Sequence, residues 1–463
     1  MYSLGINSNS VNNNLIRKVY SNDKPAEPIV QTSPIKTSAK NVPFTAATLA
    51  PLAPITLRTQ LATKEENQKY AQLSANLDKK GKKNLALLLK TGILLNTNSN
   101  DKSSTMDNLY KMLTTPRAQG ITAQVALAET IHNLARPEAI TQTMEDIPKA
   151  YVKPILDAAY KNPEIKTDEI NEKTINVDHS ATCVATSIEF KLAKQMPAEF
   201  ARFAESLTSP KLAVEKTIQL KNLADNTLDS IWLLNAFEVP YEMKDFDCAK
   251  LTLAPDKNAI LRAQVQNSNK HGYERSLIDV LMQSTFMNVG SQQAYDSLTD
   301  VRGGKFSIND RGLIEFEKTF TESVVKDRNE ISVTYQNIDQ DGKLVGYETD
   351  FKTIKRQILD SLAMGEGVII GYTLVDKNKE VINGHEITIV GAREDKNGKL
   401  IFTCVDTDDN NPNTIEYSED YLIPKIHHAG LPKEVAEKDV KYKDSWIESM
   451  NAFHEAKNVK REM

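Results

Sequence analysis

The spacing of apolar residues changes once along this chain, and that change limits the folds open to it. From about 63 to 165 they recur at helical intervals, as in Tyr70, Leu73 and Leu77, then Leu85, Leu88 and Leu89, then Val125, Ala128, Ile131 and Leu134. Residues 184 to about 300 are again mostly helical, including 228-LDSIWLLNAFEV-239 and 275-RSLIDVLMQSTFM-287. Near Gly303 the pattern turns strand-rich, and alternating runs such as 383-NGHEITIVG-391 and 400-LIFTCV-405 take over. Positions three and four apart bury one stripe of a helix, whereas a period of two buries one face of a strand. Helices followed by strands in this way give an α+β fold.

A chain of 463 residues exceeds one ordinary domain, and its 40% hydrophobic content can bury a sizeable core. Residues 1–62 are rich in Asn, Ser, Thr and Pro, with Pro25, Pro28, Pro34, Pro43, Pro51 and Pro54, and read as a disordered leader. A helical subdomain at 63–168 follows. It is broken by the loop 96-NTNSNDKSST-105, where Ser104 and Asp107 are placed to form a capping box for a helix through Met112. Residues 169–432 form the main domain. The tail at 433–463, with Lys and Glu runs around Trp446, reads as a solvated helix.

The net charge of −5, from 57 basic and 62 acidic residues, gives no electrostatic case for nucleic acid or an anionic membrane as a partner. No run of about 18 apolar residues marks a membrane span. The start MYSLGINSNSVNNNLIRKVY lacks the charged, apolar and small-residue order of a secretory signal, so a cytoplasmic location is expected. Cys183, Cys248 and Cys404 are odd in number and widely spaced, which fits a reducing interior better than a disulfide framework.

Chemistry concentrates at Cys183, in 178-DHSATCVATSIEF-190. Val184, Ile188 and Leu192 recur four apart, so a helix is expected to begin near Ser180 to Thr182, bury one stripe and end at Pro197. A thiol in the first turn meets unpaired backbone N–H groups and the positive end of the helix dipole, which favour the nucleophilic thiolate. His385 follows the turn dipeptide Asn383-Gly384 and opens a strand in which Ile387 and Ile389 alternate with Thr388 and Val390. Beyond it, 394-EDKNG-398 reads as a hairpin turn, and the return strand delivers Asp406 beside the histidine strand, with Asp408 and Asp409 as rivals. Nucleophile, base and orienting carboxylate are the three roles of acyl-transfer catalysis.

In TCVATS around Cys183, the helix-then-strand 351-FKTIKRQILDSLAMGEGVIIGY-372, GHEITIVG with His385 and VDTDDN with Asp406, the chain resembles the papain-like cysteine peptidase superfamily. The likeness is to its bacterial branches related to double-glycine leader peptidases, and it covers at most 170–430. The resemblance implies a two-lobed fold, with a helical left lobe at about 184–300 carrying Cys183 and a right lobe of antiparallel strands at about 304–425 carrying His385. It implies Cys183 as nucleophile, His385 as base and Asp406 as orienting residue, acting on a peptide or protein substrate, with no cofactor. Where many members have a glutamine that donates to the oxyanion, this chain has Val177. Asn176 is the neighbouring neutral amide able to donate to a developing negative charge, with the Cys183 N–H as its partner. Other outcomes of that departure are an inactive papain-like interaction protein or a transglutaminase-like acyl transferase. The segment at 63–168 lies where papain-like zymogens carry a pro-segment. It lacks the charged and aromatic signature of the best-known ones, so an interaction or scaffold role is expected.

Two metal motifs fall short. In 337-NIDQDGKLVGYE-348, Asn337, Asp339, Asp341, Gly342 and Glu348 match the spacing of a calcium loop, but 330-EISVTYQ-336 reads as a strand where that motif needs a helix. A hairpin with a polar Asp-Gly turn explains the same residues. His179, Cys183, His427 and His428 lack paired zinc-ligand spacing, and the adjacent histidines just after Pro424 read as a surface turn. No metal site is therefore expected. His132, His271 and His454 read as structural or solvated.

Overall fold

The computed structural model describes residues 57–142, 149–161, 175, 180–268, 275–302, 312–313, 315–339, 341–407 and 414–439. The expected leader falls outside the described residues up to 56, and the expected helical tail falls outside them beyond 439. Five helices come first: α1 Lys64–Ala75, α2 Lys79–Lys90, α3 Thr105–Thr114, α4 Ala123–Ala135 and α5 Lys149–Ala159. The middle of the chain forms α6 Cys183–Gln195, α7 Pro197–Leu207, β1 Val214–Gln219, α8 Thr227–Ala236, β2 Tyr241–Met243, β3 Cys248–Leu253, α9 Lys257–Ser268 and α10 Leu277–Gly290. Next are the short pair β4 Tyr295–Asp296 and β5 Val301–Arg302, then α11 Glu315–Lys326, β6 Glu330–Thr334, β7 Gln336–Ile338, β8 Leu344–Tyr347 and α12 Phe351–Ala363. The last elements are β9 Val368–Val375, β10 Val381–Glu394, β11 Leu400–Val405, β12 Ile415–Ser418, α13 Glu419–Leu422, β13 Ile426–Pro432 and α14 Lys433–Ala436.

The chain is α+β, with an antiparallel six-stranded sheet in the order β12-β11-β10-β9-β13-β6. Helices cover both faces, which is why 368-VIIGY-372 is apolar without alternation. Val368, Ile370 and Tyr372 of β9 pack with Ile354 and Ile358 of α12, while Ile369 joins the helical core on the opposite face. That core is continuous. It takes Leu73, Leu85, Leu109 and Ile131 from the first helices together with Val184, Phe200, Phe286 and Phe320, so one apolar cluster crosses the boundary expected at 168/169.

Local signals act where the sequence places them. Ser104 and Asp107 form the capping box of α3, with the Asp107 N–H 3.0 Å from Ser104 Oγ and the Ser104 N–H 3.2 Å from Asp107 Oδ2. Such a cap contributes about 1 kcal/mol. The β10–β11 hairpin turns at 395–398, where Asp395 Oδ1 accepts from the N–H groups of Asn397 and Lys399 at 2.8 and 2.9 Å and Gly398 takes φ +77°. Gln336–Ile338 and Leu344–Tyr347 pair as the hairpin strands β7 and β8, not as a helix-flanked loop, and Asp339 Oδ1 accepts from the Asp341 and Lys343 N–H groups.

The stretch at 184–300 is mostly helical, and within it β1, β3 and β2 form a small antiparallel sheet. The strand-rich stretch from 304 also holds α11, which packs on β6 and β13. One expectation needs correction. His427 and His428 are not on a surface turn but buried in β13, at 0% and 1% exposure. Their burial is supported by polar partners that are distant in sequence, so the chain's local pattern carried no sign of it.

Candidate active site

Helix α6 begins at Cys183, and Cys183 to Ala193 are all buried. The helix was expected to bury one stripe. It buries every side, and three of its polar residues have partners that permit this: Thr186 Oγ1 donates to the Thr182 carbonyl at 2.8 Å, Glu189 Oε2 accepts from Gln283 Nε2 at 2.9 Å, and Lys191 pairs with Glu322. Cys183 itself is 8% exposed. Thr182 stands at the N-cap, yet its side chain does not cap the helix. Its hydroxyl instead donates to Gln283 Oε1 at 3.1 Å, and Ser180 Oγ lies 2.7 Å away. The positive end of the dipole is therefore not offset by a side-chain cap at the turn that holds the thiol.

Charges of both signs stand near that turn. Arg275, 2% exposed, places Nη1 2.5 Å from Gln283 Oε1 and 3.4 Å from Thr182 Oγ1. Burial, then the Asp279 charge, holds the Glu189 carboxyl well above its ordinary range. Burial likewise raises Asp279, which accepts from Asn133 Nδ2 at 2.5 Å. Arg275 beside Thr182 and the helix N-terminus favour a thiolate at Cys183, whereas Asp300, which accepts from the Ala181 N–H, opposes it.

His385 and Asp406 are brought together: His385 Nε2 lies 2.8 Å from Asp406 Oδ1, and each side chain is 13% exposed. A carboxylate only accepts, so Nε2 carries a hydrogen and the neutral ring keeps its lone pair on Nδ1. The ring of Tyr372, paired with His385 across β9 and β10, stands edge-on to the imidazole at 6.0 Å between centroids. Asp408 and Asp409, the rival carboxylates, lie outside the described residues. So do Asn176, Val177, Asp178 and His179, and with them the expected oxyanion donor.

Helix α6 packs on β10 and β9. A relay of hydrogen bonds also joins the residue before Cys183 to the residue after Asp406. Thr182 Oγ1 donates to Gln283, Gln283 Nε2 donates to the Thr141 carbonyl at 3.1 Å, and Thr141 Oγ1 donates to the Thr407 carbonyl at 2.9 Å. The Gln142 N–H donates to the same carbonyl at 3.0 Å. On the approach to α6, Asp300 accepts from the Ala181 N–H and from the Tyr295 hydroxyl, both at 2.8 Å. The sequence reading missed Thr141, Gln142, Gln283 and Asp300. Their partners are main-chain groups and side chains distant in sequence, for which no residue spacing is diagnostic.

The other two thiols differ in kind. Cys404 is fully buried on β11, and burial followed by the Asp406 charge raises its pKa far above the ordinary thiol value. Cys248 opens β3 in a half-buried position, and desolvation with Asp245 raises its pKa as well. Among the described residues no helix is long and apolar enough to cross a membrane. Compared with family models, curated proteins and solved structures, the chain matches none.

Proposed function

We propose that the chain is a cysteine-dependent hydrolase of peptide or amide bonds, with a papain-like division of labour among Cys183, His385 and Asp406. The observation that carries this reading is the 2.8 Å contact of His385 Nε2 with Asp406. It fixes the tautomer with Nδ1 as the proton acceptor, on the strand against which the Cys183 helix packs. Along β10, Ile387 and Ile389 join the core under α12, so His385 rises from that face and α6 lies on the other. The proposed reaction requires the Cys183 thiol, at the first residue of α6, to reach Nδ1.

In the reaction the Cys183 proton passes to His385 Nδ1, and the thiolate adds to the substrate carbonyl carbon. The tetrahedral adduct collapses as the imidazolium returns that proton to the leaving amine, which leaves an acyl-thioester. Water, deprotonated by His385, then adds to the thioester, and its collapse releases the carboxylic acid and restores the thiol. Asp406 holds the ring and stabilises the imidazolium in both steps.

A thiol-directed acyl probe tests the assignment in the full chain. Labelling lost in Cys183→Ala and in His385→Ala, but kept in Cys248→Ala and Cys404→Ala, supports it. Equal labelling of all three thiols, or labelling indifferent to His385, refutes it.

A further inference from the structure

We propose that Glu315, His427 and His428 form a binding site for a divalent transition-metal ion of the zinc type, independent of the cysteine chemistry. The three side chains offer one ligand atom each, and those atoms all lie within 4.8 Å of one another. His427 Nδ1 and His428 Nδ1 are 2.9 Å apart, and Glu315 Oε1 lies 3.4 Å from the first and 3.9 Å from the second. Zinc bonds to nitrogen and oxygen of about 2.0–2.2 Å put tetrahedral ligands about 3.3–3.6 Å apart, and the three edges average close to that range.

Neighbouring residues of a strand ordinarily point to opposite faces, so two adjacent histidines that converge need a local device. The pairing of β13 with β9 supplies one. Ile426 pairs with Tyr372 and His428 with Gly371, which leaves His427 as an extra residue in a bulge. The Tyr335 N–H donates to the His427 carbonyl at 2.7 Å and holds the bulge from the β6 side. Gly371 completes the space. A Cβ there would lie 2.2 Å from His428 Cε1 and 2.8 Å from Glu386 Oε1, so only glycine lets the imidazole lie over β9.

The surroundings match those of a ligating histidine. His428 Nε2 lies 2.8 Å from Glu386 Oε1, and Glu386 Oε2 pairs with Lys318 at 3.2 Å. A carboxylate on the far nitrogen directs the other nitrogen's lone pair at a metal and raises its basicity. Glu315 Oε2 accepts from Thr334 Oγ1 at 2.7 Å, while its buried Oε1 makes no hydrogen bond among the described residues. Two carboxylates, Glu315 and Glu386, stand against the single ammonium of Lys318 around the histidines, an excess that a bound cation would offset. Mixed imidazole and carboxylate ligands suit zinc and its neighbours better than calcium or magnesium.

An ion there would pin the first turn of α11 to β13. Glu386 reaches α11 while Ile387 packs under α12, so consecutive residues His385 and Glu386 serve opposite faces of the sheet. The site and His385 therefore lie on opposite faces of the sheet. The test is titration of the full chain, stripped with a chelator, with Zn²⁺ by calorimetry and with Co²⁺ by visible absorption. The expected result is one equivalent bound, a tetrahedral cobalt spectrum without a thiolate charge-transfer band, and affinity lowered at least about tenfold in Glu315→Gln and His428→Asn. Glu315→Gln sits at the partly exposed edge of the site and keeps the residue's shape, so it serves if His428→Asn misfolds. No stoichiometric uptake, uptake unchanged in Glu315→Gln, or uptake abolished by Cys183→Ala would each overturn the proposal.

Discussion

The ionisation of the three thiols gives the catalytic proposal its sharpest test, because the structure places them in opposed environments. Desolvation and Asp245 hold Cys248 above the ordinary thiol value, and Cys404 is sealed in the sheet. A thiol at a helix N-terminus beside an imidazolium falls instead to about 3.5–7.5. At a pH below both values, each unit by which one thiol titrates below another raises its ionised fraction about tenfold and costs about threefold in nucleophilicity at a Brønsted slope of about 0.45, so two units give a net advantage of about tenfold. Cys183 should therefore alkylate about tenfold faster than Cys248 at pH 6. At pH 9 a lowered Cys183 has no further ionisation to gain while Cys248 is still rising, so the advantage shrinks.

Pulse alkylation with iodoacetamide at the two pH values, read by peptide mass spectrometry, measures all three sites in one sample. The shrinking of the ratio with pH is the decisive feature, since a difference in accessibility alone scales both pH values together. His385→Ala should move the Cys183 profile towards that of an ordinary thiol and leave Cys248 unchanged. If Cys183 in the unmodified chain instead follows Cys248 upward, with a midpoint above about 8, there is no thiolate–imidazolium pair and the hydrolase reading fails.

Glu199 is fully buried between Arg202 and Lys216, with three contacts of 2.8 Å. Glu199→Gln should therefore cost about 3–5 kcal/mol in urea unfolding, because it strands two buried cations. Burial alone would raise that carboxyl, but the Arg202 hydrogen bond and the Lys216 charge bring it to about 2. Its contribution is thus present above the unfolded value near 4.3 and lost as pH falls through 2, a dependence the Gln variant should lack. Gly371→Ala drives a methyl into His428 and Glu386, and thermal melts should show a loss of about 1–3 kcal/mol. Thr141→Val removes the hydroxyl bond to Thr407 and should cost about 1 kcal/mol of stability. If the relay positions Asp406, the same variant lowers kcat with little change in KM; equal loss of substrate binding would contradict that role.

What could be read from the chain follows how local each determinant is. The β10–β11 hairpin was legible because Asp395, Asn397 and Gly398 are a turn by their own chemistry, and the hairpin alone brings His385 to Asp406. The start of α6 was legible from the spacing of Val184, Ile188 and Leu192. Its all-round burial was not. Thr186 answers to its own helix, but Glu189 and Lys191 are matched by Gln283 and Glu322, residues 94 and 131 positions away. His427 and His428 were misplaced for the same reason, since a β-bulge and a glycine on the neighbouring strand decide their direction. The small sheet β1-β3-β2 escaped because its strands span only three to six residues, too short for a period of two to stand out among helices.

These long-range matches have a common effect on α6. At its head, Thr182 is tied through Gln283 and Thr141 to Thr407, and Asp300 holds Ala181. Near its tail, Lys191 enters a buried cluster in which Glu322, Glu330 and Glu366 face Lys191, Lys326 and Arg328, three charges of each sign. Gln195 Nε2 donates to the Gly365 carbonyl at 3.3 Å, just before β9 begins. Apolar packing could hold such a helix at lower desolvation cost, since a buried ion pair is weak as a source of stability. Directional bonds at both ends do what packing does poorly: they fix rotation and sliding along the axis. A nucleophile at the first residue of a helix needs that restraint, because displacement of about 1 Å there separates thiol from base and costs about a hundredfold in rate. By this reasoning Lys191→Met, which removes a tail contact while keeping the apolar stem, should leave the chain folded yet slow acylation at Cys183. Acylation undiminished in a folded Lys191→Met variant would show that packing alone holds the helix in register.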